Sequence, residues 1–105
     1  MDRLEQLENL LKESPNDPFI LYAIAKELEN KGQLQTAMKK YDQLMEKHPD
    51  YVGTYYHYGG VLEKLNKREN AIQIYRAGLL VAQKLQDNHA YRELFQSLQE
   101  ISEED

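Results

Sequence analysis

The sequence predicts an all-α protein, about six helices stacked as antiparallel pairs. Three observations carry that reading. Apolar residues recur every three or four positions along nearly the whole chain, and no stretch alternates with a period of two. Stop signals at Ser14-Pro15, Lys31-Gly32, His48-Pro49, Asn66 and Asp87-Asn88 cut the pattern into helix-sized pieces. The piece spanning residues 18–51 is echoed further along the chain.

The first helix is expected over residues 2–13, with Leu4, Leu7, Leu10 and Leu11 at helical spacing. Ser14 precedes a proline and is pushed out of the α region, which ends the helix. Asp17-Pro18 opens the second. The aspartate caps free amides, and proline at the first helical position loses no hydrogen bond. Its buried stripe is Phe19, Leu21, Ile24, Ala25 and Leu28, and Lys31-Gly32 stops it with a glycine free to take positive φ. The third helix runs from about residue 33 to 47 on Leu34, Ala37, Met38, Tyr41, Leu44 and Met45. His48-Pro49-Asp50 ends it and offers a cap to the next.

Residues 51–65 make a poorer helix. Gly53, Gly59 and Gly60 each cost about 1 kcal/mol against alanine in a helix interior. Helix is still expected, because packing overrides propensity. Asn66 is the turn residue, tolerating the left-handed region as glycine does. The fifth helix, residues 67–85, buries Ala71, Ile72, Tyr75, Leu79, Val81, Ala82 and Leu85. Within it Leu79-Leu80-Val81-Ala82 is apolar nearly all round, so the last helix or another chain has to cover Leu80. Asp87-Asn88 caps a final helix to about Ser102, buried through Tyr91, Leu94, Phe95, Leu98 and Ile101, and residues 103–105 form a frayed end.

A lag of 34 residues aligns Leu10 with Leu44, Pro15 with Pro49, Tyr22 with Tyr56, Leu28 with Leu62, Glu29 with Glu63, Ala37 with Ala71 and Tyr41 with Tyr75. The identities are few, but most fall where a helix pair needs them: in buried stripes, at a close crossing, or at the terminating proline. In this the chain resembles the tetratricopeptide repeat family, whose unit is a 34-residue helix–turn–helix. Leu21, Ile24, Ala25, Leu28, Gly32, Ala37, Tyr41 and Pro49 match the large, small, turn and proline positions in the first unit. Tyr55, Tyr58, Gly59, Leu62, Ala71 and Tyr75 match them in the second. Gln83 replaces the second proline, so that helix should run on. Residues 2–15 match the second half of a unit, with Arg3 where alanine is expected. The resemblance implies one domain over residues 1–105, a right-handed superhelical stack. Its parts are a half-repeat helix at 2–15, repeats at 18–51 and 52–86, and a capping helix at 87–102.

Composition excludes more than it assigns. There is no cysteine, so neither disulfide nor thiolate chemistry is available. A net charge of −5 argues against nucleic-acid binding, which needs a basic footprint. No apolar run reaches membrane-span length, and the start MDRLEQLENL is too charged for a signal peptide, so a cytoplasmic protein away from membranes is expected. No phosphate loop, nucleophile motif or zinc-protease motif is present, so no enzyme, cofactor or metal is expected. His48, His57 and His89 are far apart in sequence and read as capping or surface groups. Ser14, Ser97 and Ser102 have no His/Asp partner in view.

By the resemblance, the first helix of each pair lines a concave groove. Phe19, Tyr22, Lys26 and Glu29, then Tyr56, His57, Gly60 and Glu63, are the candidate peptide-binding residues. Tyr22 and Tyr56 should form adjacent rungs, and Gly60 should leave a notch. The Lys/Asn clamp with which some members of the family hold chaperone C-terminal carboxylates is not reproduced. Tyr22 and Lys26 stand at two of its positions, and His57 and Gly60 fill others. Lys26, His57 and Arg92 remain as a weaker positive spot. The expected function is a non-enzymatic module that binds a protein or peptide partner in this groove. The alternative is a structural module that associates with itself through its outer or terminal helices.

Overall fold

The computed structural model describes residues 1–103. Among them are six helices: α1 (Arg3–Glu13), α2 (Pro18–Asn30), α3 (Leu34–Lys47), α4 (Gly53–Lys64), α5 (Arg68–Lys84) and α6 (Asn88–Ser102). Each packs on its neighbours in the chain. In addition α4 touches both α2 and α6, so these three helices form one layer, with α3 and α5 behind it. The body measures 43 × 29 × 19 Å.

The caps follow local chemistry. Asp2, Asp17 and Asp87 accept from the backbone N–H groups of Glu5, Phe19 and Ala90 and start α1, α2 and α6. Three helices end alike. Gly32, Asn66 and Gln86 take φ of 77°, 60° and 58°. The N–H of the following residue then bonds back to Leu28, Leu62 or Ala82 at 2.8–2.9 Å, satisfying a carbonyl that the helix end leaves open. Gln86 carries no sequence signal for this conformation. Asp50 does not cap α4, which begins two residues later than expected without a side-chain cap; its carboxylate instead meets Lys84 at 3.0 Å.

Ala25, Ala37, Tyr41, Leu44, Val61, Ala71 and Ala82 are fully buried. Burying a side chain the size of Leu44 is worth about 1.5–3 kcal/mol. The small residues set the helix crossings. A Cβ on Gly59 would lie 2.2 Å from Cε1 of Tyr75, and one on Gly78 would lie 2.5 Å from Cβ of Tyr55. Gly59 is thus a point where α5 approaches α4, the Tyr75 ring occupying the space a Cβ would take. Where Gln83 replaces proline, α5 does run on, to 17 residues against 14 for α3.

Five apolar side chains assigned to the core are exposed instead, and Leu21 is only half-buried. Phe19 is 67% exposed, and Leu10, Leu85, Tyr91 and Phe95 are also on the surface. Each of the five lies on a part of its helix that no neighbouring helix covers. Leu80 is likewise 70% exposed, so α6 does not cover it. Glu103 closes α6 through its N–H; Glu104 and Asp105, the rest of the expected frayed end, lie outside the described residues. Among the described residues no helix is long and apolar enough to cross a membrane.

Candidate peptide-binding groove

The layer of α2, α4 and α6 carries two adjoining hollows. The larger, about 420 Å³, is lined by Glu29, Tyr56, His57, Gly60, Glu63, Lys64, Tyr75, Ser97 and Glu100. The smaller, about 230 Å³, lies against α1 and takes in Arg3, Phe19, Tyr22, Ala23, Lys26 and Glu27. The eight candidate residues therefore divide. Glu29, Tyr56, His57, Gly60 and Glu63 come together in one hollow, and Phe19, Tyr22 and Lys26 in the other.

The two tyrosines do not meet directly; His57 lies between them. Its ring stands edge-on to Tyr22 at 5.6 Å and to Tyr56 at 5.3 Å, and stacks on Tyr41 at 6.3 Å. Tyr22 packs on Tyr51 at 5.3 Å from its other side, and Lys26 Nζ lies 5.6 Å from the centre of its ring. Burial, reinforced by the neighbouring Tyr51 phenol and by the negative charge of Glu29 and Glu93, pushes the Tyr22 phenol up to about 12. Tyr56 remains 36% exposed and forms the open rim.

His57 is not a cap; it is half-buried in the wall of the larger hollow. Burial lowers its pKa despite the opposing pull of Glu29. Its Nδ1 lies 3.8 Å from a Glu29 oxygen, and with the ring below its ordinary pKa this is a neutral imidazole beside a carboxylate at pH 7. The expected positive spot of Lys26, His57 and Arg92 loses His57 accordingly.

One arrangement recurs in both helix pairs. The Tyr41 hydroxyl donates to Glu29 at 2.9 Å, and the Tyr75 hydroxyl donates to Glu63. Burial, with the neighbouring carboxylate, raises both phenols far above their ordinary value. Each buried ring on a second helix thus holds a carboxylate at the groove on the first. The identities Glu29/Glu63 and Tyr41/Tyr75 were visible in the sequence, but the tyrosines read only as stripe residues. The contribution of α6 was missed as well. Glu93, Ser97 and Glu100 form a polar line at helical spacing, a signal that was there to be found.

At Gly60 a Cβ would meet nothing within 4 Å, so the expected notch is open. Among the described residues no group of three or more His, Cys, Asp or Glu side chains is arranged to hold a metal ion.

No protein-family profile matches the chain, and no curated protein matches it. Solved structures do. The TPR2B domain of yeast Sti1, in its complex with pHsp70, superposes with a TM-score of 0.89 at 17% identity, over 97% of this chain and 82% of that one. A Bordetella parapertussis protein gives 0.87 at 23% identity, over 100% and 91%. These two likenesses speak for the fold. A tetratricopeptide repeat domain protein from Salinibacter ruber is 34% identical, with a TM-score of 0.82, over 85% of this chain and 99% of that one. With the paired helices and the recurring small and aromatic positions, this match means that the chain belongs to the tetratricopeptide repeat family.

Proposed function

We propose that the chain, a tetratricopeptide repeat protein and on that ground a protein-interaction module, takes an extended peptide segment of a partner along the α2–α4–α6 face. The observation that carries this reading is the open hollow at Gly60, walled by Tyr56 and His57. Core packing would have filled such a space, whereas here a backbone or side chain can enter. Tyrosine at the rim gives contact area with few rotors to immobilise.

Random linear peptides displayed on phage and selected on the protein provide the test. Peptides that bind should lose affinity at least tenfold for Gly60→Leu, which fills the notch, and for Tyr56→Ala. Neither change reaches the core, so the thermal midpoint should not fall, and filling the notch should raise it slightly through helix propensity. Unchanged affinity in both variants would refute the groove.

A second reading, self-association, is favoured by the exposed Leu80, Leu85, Tyr91 and Phe95, the last two with their rings stacked at 6.3 Å. Light scattering across a concentration series tests it. A monomer at every concentration would remove it.

A further inference from the structure

We propose that the segment this groove accepts is basic, seating a lysine or arginine side chain in the hollow over Gly60. The inference rests on the groove reading above and names the chemistry of its occupant.

The hollow is lined by the carboxylates of Glu29, Glu63 and Glu100 against a single lysine, Lys64. Lys64 is 3.5 Å from Glu29 with 58% of its side chain exposed, a loose surface pair that an incoming cation can displace. At its edge a fourth carboxylate, Glu93 on α6, acts on both Tyr22 and His57, and Lys26 on α2 acts on His57 with the opposite sign, which leaves four carboxylates against two lysines. The hollow therefore carries a clear excess of negative charge.

Glu29 and Glu63 have each committed an oxygen to a buried tyrosine hydroxyl. That fixes their position without exhausting them, because a carboxylate accepts several hydrogen bonds. They are held acceptors, whereas most surface glutamates swing freely. Acid alone would make no site. Here it surrounds an open notch with the Tyr56 ring on the rim, and an aromatic face attracts a cation as a carboxylate does.

The charge is also local. The hollow beside Phe19 sets Arg3 and Lys26 against Glu27, and a third, on the outer side, sets Lys39 and Lys67 against Asp42. A chain-wide charge of −5 spread evenly would not produce that contrast. An acidic occupant, such as a terminal carboxylate, would meet like charge at the α4–α6 end.

The peptides selected above carry the test. They should be enriched in lysine and arginine and should bind more weakly as salt rises. Citrulline in place of a peptide arginine should weaken binding by about three- to tenfold, and so should the protein variant Glu93→Gln with Glu100→Gln. Combining the two changes should cost less than the sum of their separate effects. Glu93 and Glu100 hold no core tyrosine, so the variant should unfold at the wild-type temperature. Peptides that need the Gly60 notch but lack basic residues, or that bind the double variant equally well or better, would overturn the basic occupant and leave the groove standing. Failure to select any peptide that depends on Gly60 would overturn both.

Discussion

The pairs α2–α3 and α4–α5 share a plan and differ in how they execute it. In each, a tyrosine on the second helix donates to a glutamate twelve residues earlier on the first. The first helices are otherwise unlike. α2 begins at an Asp17 cap with proline behind it, and turns at Gly32. α4 has no side-chain cap and contains three glycines. By propensity alone α4 would be marginal. It nevertheless buries six of its residues, against three for α2, because it lies in the middle of the stack with helices on several sides. The comparison teaches that position in the stack, more than local chemistry, decides which helix is secure. Security of that kind lets a helix carry glycines, and so an opening, at no risk to its structure.

The sharpest way to break the comparison is at the two adjacent glycines, which should respond with opposite signs. Gly59→Ala puts a methyl group into the Tyr75 ring and should destabilise by about 2 kcal/mol net, after the gain in helix propensity. Urea denaturation reads this directly. A neutral or stabilising result would mean that α5 can slide away from α4 without loss.

The shared plan is tested next. Tyr75→Phe leaves the Glu63 carboxylate without its donor and should cost about 1–2 kcal/mol. Tyr41→Phe should cost less, because Glu29 keeps Lys64 at 3.5 Å. Equal losses would show that this lysine contributes nothing. Gly60→Ala, in open space, should stabilise by about 0.5–1 kcal/mol through propensity alone. A loss there would mean that the notch is not empty in solution.

The smallest effect concerns pH. Burial places the folded-state pKa of His57 below its ordinary 6.5. The unfolded chain therefore takes up this proton first. The associated stability is present above pH 6.5 and is lost as pH falls through the folded value. Between pH 7 and pH 5 the wild type should lose more stability than His57→Gln in chemical denaturation. Parallel curves would mean that the ring is not desolvated.

The sequence showed the helices far more clearly than the site. Asp17-Pro18, Gly32 and Asn66 announce boundaries through chemistry that acts within a few residues, and they were legible. Gln86 turns the chain just as Gly32 does, yet glutamine gives no notice of a left-handed backbone. The tertiary setting imposes it. Phe19, Tyr91 and Phe95 have the right spacing for burial, but spacing says nothing about whether a neighbouring helix exists to bury them. For the groove, α2 and α4 were identified through the resemblance to the tetratricopeptide repeat family. The spacing of Glu93, Ser97 and Glu100 puts them on one face of α6, but which helix that face meets depends on how α6 leans across α4. The Glu–Tyr pairs were visible as identities at the repeat lag. Their meaning, a contact between two helices, emerged only with both helices in place.

Among the described residues α1 differs from the other helices in having one neighbour alone, α2. It buries a single residue, Leu7, and its N-terminus is tied to the α2–α3 turn by the Asp2–Lys31 ion pair at 2.9 Å. In a stack of nearest-neighbour contacts the free energy of opening falls toward an end held so lightly. Amide protons of α1 should exchange by peeling of that helix, long before those of α4, whose release requires the whole stack to come apart. What peeling uncovers is the face of α2 that packs on α1, apolar surface that the resting molecule keeps from water.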